Sequence, residues 1–332
     1  MRKLIVIVVV VAALWSGYWL IGSRGVENSV RDWLDARGDQ GWQAEYSQVA
    51  TRGFPNRFDT TISDIALADP ATGVAWSAPF FQILRLSYKR DHQILIWPDT
   101  QTIASPYQRI DLGSERARAS VVFVPDTALQ LDRANVVFDG IELRSSLGWA
   151  ARIASGLLAA RAAGADNSYD LGFEAKEIVP SDDLLAGLDP LGLFPKVIER
   201  LKIDATVGFD APWDQSAIEI ARPAITEIQL NLMQAEWGEL ELWAAGDLSV
   251  DADGRLDGQI TVKAKNWREM LQIGQAAGWI PDTLVPTLES GLELLAALSG
   301  PRNSIDAPLT FRNGSVSFGP IPLGNAPRLW LR

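Results

Sequence analysis

Residues 238–265 read GELELWAAGDLSVDADGRLDGQITVKAK. Apolar and polar residues alternate on both sides of Asp253-Gly254, a dipeptide suited to the left-handed backbone of a tight hairpin turn. A period of two sends successive side chains to opposite faces of a strand. The stretch therefore predicts two antiparallel strands, 238–250 and 255–265, and not a βαβ crossover.

The same pattern extends outward in both directions. Upstream, Phe58, Thr60 and Ile62 alternate with polar residues, while Ile65 and Leu67 follow in the opposite phase, as at a β-bulge. Further strands are expected at 76–88, 93–97, 118–124, 129–144, 169–179, 201–209 and 225–236, and downstream at 307–318 and 321–331. Asp139-Gly140 and Asn313-Gly314 supply further turn signals. Three helical stretches interrupt the sheet. In 147–163, Leu147, Ala150, Ala151, Ala154, Leu157 and Leu158 fall on one helical face. The stretch 187–200 is broken by Pro190 and Pro195. The third, 266–278, has Asn266 as N-cap, Glu269 at capping-box spacing and Gly278 as its stop, and an apolar helix over 282–299 follows it.

The N-terminus differs in kind. Residues 4–22, LIVIVVVVAALWSGYWLIG, carry no charge and are bracketed by Arg2, Lys3 and Arg24. Nineteen residues at about 1.5 Å each nearly match a hydrocarbon core of about 30 Å. Leu4, Val8, Leu14 and Ile21 are apolar members of this span, and Trp15, Tyr18 and Trp19 are placed to meet an interface. The segment reads as a single-pass anchor in the inner (cytoplasmic) membrane, with the short head inside and the bulk of the chain in the periplasm. A signal peptide cut after the small residues Val11 and Ala13 is the competing reading; it would leave a very apolar new N-terminus. Beyond it, Val26, Val30, Trp33 and Leu34 recur at helical spacing, so the anchor is expected to continue into an amphipathic helix packed on the domain. The expected organisation is an anchor over 1–24, a connecting helix over 25–42 and a β-rich domain over 43–332, with room for two sheet lobes meeting near 145–200.

Composition narrows the function classes. The net charge is −11, which disfavours phosphate backbones, so no nucleic-acid partner is expected. The absence of cysteine removes disulfides, thiolate metal sites and a cysteine nucleophile. The only histidine, His92, lies in the charged stretch Lys89-Arg90-Asp91-His92 and reads as a solvated loop residue. Asp251-x-Asp253-Gly254-x-x-Asp257 has calcium-loop spacing without the later bidentate Glu, so it reads as a hairpin turn. Asp182-Asp183 reads as an acidic helix start, and Asn313-Gly314-Ser315 as a turn. No cofactor, metal or catalytic constellation is expected, and the protein reads as non-enzymatic. Thirteen tryptophans run from Trp15 to Trp330. Trp237 and Trp243, six apart, are expected on one strand and one face, and with Trp76 they are the candidates to line an apolar groove.

Two stretches carry a resemblance. One is Gly53-Phe54-Pro55 followed by Trp76-Ser77-Ala78-Pro79 and Tyr88. The other runs from Gly246-Asp247-Leu248 through Leu256-Asp257-Gly258 and Asn266-Trp267 to Asn313-Gly314-Ser315-Val316 and Gly319-Pro320-Ile321-Pro322-Leu323-Gly324. With the single anchor, they resemble an uncharacterised bacterial family, a domain of unknown function, whose architecture is distantly similar to AsmA-like envelope proteins. The resemblance implies a mainly β (α+β) fold: an elongated, curved antiparallel sheet with a few packed helices, preceded by one transmembrane helix. It further implies an apolar concave face and lipid handling. The partners expected are the bilayer through residues 4–22 and lipid or another apolar ligand in a sheet-lined groove. The alternative is a structural or assembly role through contacts with other envelope proteins.

Overall fold

A computed structural model describes residues 1–39, 41–278, 282–283, 285–299 and 303–329, apart from the side chains of Ile218, Glu219, Leu295, Leu298 and Ser299. The fold is mainly antiparallel β with few helices, as the alternation predicts. The chain divides into two compact units, Met1–Pro125 with Val136–Gly148, and Asp126–Asn135 with Trp149–Arg332.

The first unit opens with one helix, α1 (Arg2–Asp39). Strands β1 (Gln43–Glu45), β2 (Gln48–Arg52), β3 (Arg57–Asp69), β4 (Val74–Leu86), β5 (Lys89–Ile96), β6 (Thr100–Ala104), β7 (Arg109–Gly113) and β8 (Arg116–Phe123) follow, and most of β9 (Leu131–Ser145) belongs here too. β3 carries β1 and β2 along one edge and β4 along the other. β4 in turn pairs with both β5 and β6, which pass the sheet on to β8 and to β7 and β9 respectively. The apolar half-stripe of α1 packs on this sheet: Leu34, 1% exposed, and Val30 meet Val49, Ile62, Ile65 and Ala78. Arg31 donates to the Val49 carbonyl and Glu27 accepts from the Thr51 amide.

The phase change in β3 is real, but its cause differs from the bulge expected. The register with β4 is the same before and after it, Ser63 facing Phe80 and Ile65 facing Ala78. Asp64 takes a left-handed φ of 51° opposite Pro79, which has no N–H to offer the ladder. The local twist brings both Ile62 and Ile65 into the core.

The second unit is a meander. Strands β10 (Ala150–Ala162), β11 (Ser168–Val179), β12 (Ile198–Phe209), β13 (Ile225–Trp237), β14 (Leu240–Val250), β15 (Leu256–Lys265), β16 (Ser304–Arg312), β17 (Ser315–Phe318) and β18 (Ile321–Asn325) each pair antiparallel with the next. Helices α2 (Asp182–Leu188), α3 (Gln215–Glu219), α4 (Trp267–Ala276) and α5 (Val285–Ser299) sit in the connections. The β16–β17 turn has φ of 52° at Asn313 and 74° at Gly314, the left-handed pair its dipeptide predicts. Gly246, in the middle of β14, and Gly258, near the start of β15, have a different reason. A Cβ on either would overlap a carbonyl oxygen of the facing strand, that of Gln259 or Asp247.

Several expectations need correction. Residues 147–163 form no helix: from Arg152 to Ala162 they pair with β11. Alanine and leucine favour helix only weakly, and a two-sided ladder overrides that preference. The stretch 187–200 holds no helix of its own. The helix lies earlier, as α2, with the Ser181 side chain accepting from the Leu184 amide and Asp182 and Asp183 in the first turn. α4 starts where expected, but Asn266 has a left-handed φ of 61° and makes no side-chain cap; its side-chain Nδ2 donates to the Glu239 carbonyl instead. Asp139-Gly140 lies inside β9, and β6 and β7 fall where no strand was read. The last expected strand keeps only Ile321–Asn325, and Trp330 and Leu331 lie outside the described residues.

Trp267, 1% exposed, anchors α4 and α5 to the sheet among Leu271, Leu292, Ala296, Ala264 and Ile305. Trp267→Ala should lower the unfolding free energy by about 3–5 kcal/mol in denaturant melts. Gly258→Ala, at φ 138° against a neighbouring backbone, should cost at least about 1–3 kcal/mol in the same measurement.

Candidate functional site

In the second unit, directly opposed residues of neighbouring strands share a face, so the register sorts the sheet's side chains. One row runs Leu158, Phe173, Ile203, Met233, Ala244, Val262, Ala307 from β10 to β16. The next runs Ala160, Leu171, Ala205, Leu230, Gly246, Ile260, Leu309. Every member is apolar or glycine. The opposite face carries rows such as Arg161, Asp170, Thr206, Gln229, Asp247, Gln259, Thr310. The sheet is amphipathic across its whole width.

Cover over the apolar face is uneven. At β14–β16, α4 and α5 close over Leu242, Ala264 and Ile305. At the far end of β11 and β12, Tyr169 is buried, donates its hydroxyl to the Leu131 carbonyl and stacks edge-on with Phe209, which meets Trp213 in turn. Between these ends, Phe173, Ile203, Leu230 and Met233 are only partly buried and Leu158 is 45% exposed. Apolar side chains left in partial contact with water on adjacent strands form the kind of patch that takes a ligand or partner.

The three tryptophans expected in a groove are not gathered in one place. Trp76 belongs to the first unit, where its indole N–H donates to Gln101 and its ring packs beside Phe81 against the core under α1. Trp237 and Trp243 lie on different strands, because Gly238 turns the chain between them. Trp243 opposes Gln234 and Trp237 opposes Leu240, which puts the two rings on opposite faces. Trp237 sits at the rim of the apolar face, stacked on Phe194 with its N–H on the Pro195 carbonyl. Trp243 lies on the polar face beside the Lys263 ammonium, 5.8 Å from the ring centroid. The apolar rows were visible in the sequence as alternation; their alignment across strands was not.

An open cleft of about 610 Å³ in the first unit is lined by Ser77, Thr102, Arg109, Asp111, Glu142 and Arg144, among others. Arg109 pairs with Asp111 at 2.9 Å and Arg144 with Glu142 at 2.6 Å, while Asp64 accepts from the Ser47 hydroxyl. The Arg109 and Thr102 hydrogen bonds hold the Asp111 carboxyl below its usual range, so it is a satisfied ion and not a poised base. His92, expected in a loop, is in β5, paired with Val122 and in hydrogen-bond contact with Ser120 at 2.9 Å. In the calcium-like turn, the Asp251 carboxylate accepts from the amides of Asp253 and Arg255, and the Arg255 guanidinium pairs with Asp253. Among the described residues no group of three or more acidic or histidine side chains could hold a metal ion.

An antiparallel, largely β protein with an amphipathic sheet and one N-terminal helix apolar enough to cross a membrane is the class this fold defines. The chain belongs to the bacterial family described as "Uncharacterized protein conserved in bacteria (DUF2125)", whose profile matches residues 19–327. No curated protein and no solved structure matches it.

On the polar face, hydrogen bonds from Arg161 and then Thr206 hold the Asp170 carboxyl below its usual range. A depressed folded-state pKa stabilises above the unfolded value and is lost as pH falls through the folded one. The Asp170 side chain is 39% exposed, so solvent screening limits the effect. Asp170→Asn should destabilise by no more than about 0.5 kcal/mol at neutral pH. The difference from the parent should vanish in melts run below the usual carboxylate range.

Proposed function

We propose that this protein is anchored by α1 in the inner membrane, with its sheet units in the periplasm, and that it binds lipid or another apolar molecule on the open middle of the second unit's apolar face. The observation that supports this most is the row Leu158, Phe173, Ile203, Met233, aligned across four strands and incompletely covered. Burying such side chains under an acyl chain is worth about 25 cal/mol per Å² of apolar surface removed from water. The resemblance to AsmA-like proteins points the same way, as does an apolar helix whose residues 4–14 are exposed. The role read here is binding, supported by a polar cleft in the first unit whose arginines are each paired with a carboxylate.

The test is photo-cross-linking of the full chain in membranes with a diazirine-bearing fatty acid or phospholipid, followed by peptide mapping. Label is expected on peptides of β10–β13, falling at least fivefold in Phe173→Asp or Ile203→Asp variants of unchanged circular dichroism. Label spread evenly over the chain would sink the ligand reading. A second polypeptide captured on those same strands, with no lipid adduct, would replace it by the assembly role.

A further inference from the structure

The outer end of the apolar helix does not stand free. The Trp15 indole donates to the Pro55 carbonyl at 2.7 Å, the Tyr18 hydroxyl to the Ser87 carbonyl at 2.6 Å, and the Trp19 indole to the Arg57 carbonyl at 2.8 Å. Trp19 also meets the rings of Phe54 and Phe58, and Gly22 leaves room for the Phe58 ring, which a Cβ there would strike. Positions 15, 18, 19 and 22 form one helix face, and two turns of the sheet lie against it, 53–57 leading from β2 into β3 and 87–88 between β4 and β5, with Trp15 and Tyr18 still 39% and 42% exposed.

Length then decides where these turns lie. The uncharged run 4–22 rises about 28 Å, close to a hydrocarbon core of about 30 Å. Trp15 precedes the end of that run by seven residues, about 10 Å of helix rise. If both turns stayed in water, only residues 4–14 would remain to cross, about 16 Å of helix and half of what is needed.

We infer that the two turns, 53–57 and 87–88, are inserted in the outer interface of the bilayer beside α1, with Phe54 and Tyr88 as their membrane-facing side chains. This rests on the anchor reading of α1. Phe54 and Tyr88 are 56% and 64% exposed, a poor arrangement in water and a favourable one among headgroups and upper acyl chains. Backbone at that depth must have its polar groups paired, and here the carbonyls of Pro55, Arg57 and Ser87 receive helix donors. The amides of Arg57 and Ser87 donate to the carbonyls of Gly53 and Asn56. In a chain of net charge −11 the same end carries Arg52, Arg57, Arg85, Lys89 and Arg90 against Asp59, which pairs with Arg57, and Asp91, a net positive end, brought together because Arg57 faces Leu86 across the β3–β4 ladder. That cluster suits anionic headgroups.

The chain has no cysteine, so single labels are simple to place. V8C, F54C, Y88C and Y107C variants of the full chain would each carry a nitrobenzoxadiazole label in phosphatidylcholine–phosphatidylglycerol vesicles containing doxyl-labelled lipid. Tyr107, 87% exposed in the β6–β7 turn, is the control for water, since β6 pairs at the opposite end of β4. Val8 reports the anchor itself. The expected result is strong quenching at V8C and quenching at F54C and Y88C several-fold above Y107C; Y88C guards against loss of the Phe54–Trp19 contact. Quenching at V8C with F54C and Y88C both at the Y107C level would overturn the inserted turns and leave the anchor standing. A V8C label no more quenched than Y107C would refute the anchor reading and this inference with it.

Discussion

Antiparallel backbone pairing is the constraint on which the rest depends. Each strand can satisfy its amides and carbonyls only in a register that keeps like faces together, and a slip of one residue in the second unit would exchange the Phe173–Ile203–Met233 row for Glu174, Lys202 and Gln234. The burial of Trp267 of α4 between α5 and the sheet, the accommodation of Gly246 against Gln259, and the open middle of the apolar face all follow from that registration.

α1 is one continuous helix with two kinds of surface. Its first part is apolar on every side and exposed from Leu4 to Leu14; its second part has an apolar stripe that β2, β3 and β4 bury through Val30 and Leu34. Between them, Trp15, Tyr18 and Trp19 use ring faces for packing and polar tips for the carbonyls of two turns. Amphipathic rings suit that position because each offers a large apolar surface and a single donor. The helix and the sheet are thereby joined by hydrogen bonds where a flexible linker would have left them independent.

Much of this was legible in the residues. Alternation located most of the strands, Asn313-Gly314 and Asp253-Gly254 located their turns, and an uncharged run of membrane length located the apolar helix. The readings that failed did so where local and non-local preferences compete. Residues 150–162 have the alanine and leucine content of a helix, and only the neighbouring strand shows that their carbonyls are needed in a ladder. The pairing of Trp237 with Trp243 failed through a single turn residue, Gly238, which reverses the chain and sends the two rings to opposite faces. The basic cluster at the foot of the first unit comes from segments some thirty residues apart, so no window of sequence contains it.

The sequence by itself determined the class of structure: an apolar helix of membrane length followed by amphipathic strands, because hydropathy period and run length are local properties that every fold of this chain must respect. The tertiary structure decided which apolar side chains share a row, which of them stay uncovered, and which turns lie against the helix. Those depend on inter-strand register and on contacts between residues far apart in the chain, and the physical reason is that a period of two assigns side chains to faces without saying which strand, helix or solvent will meet each face.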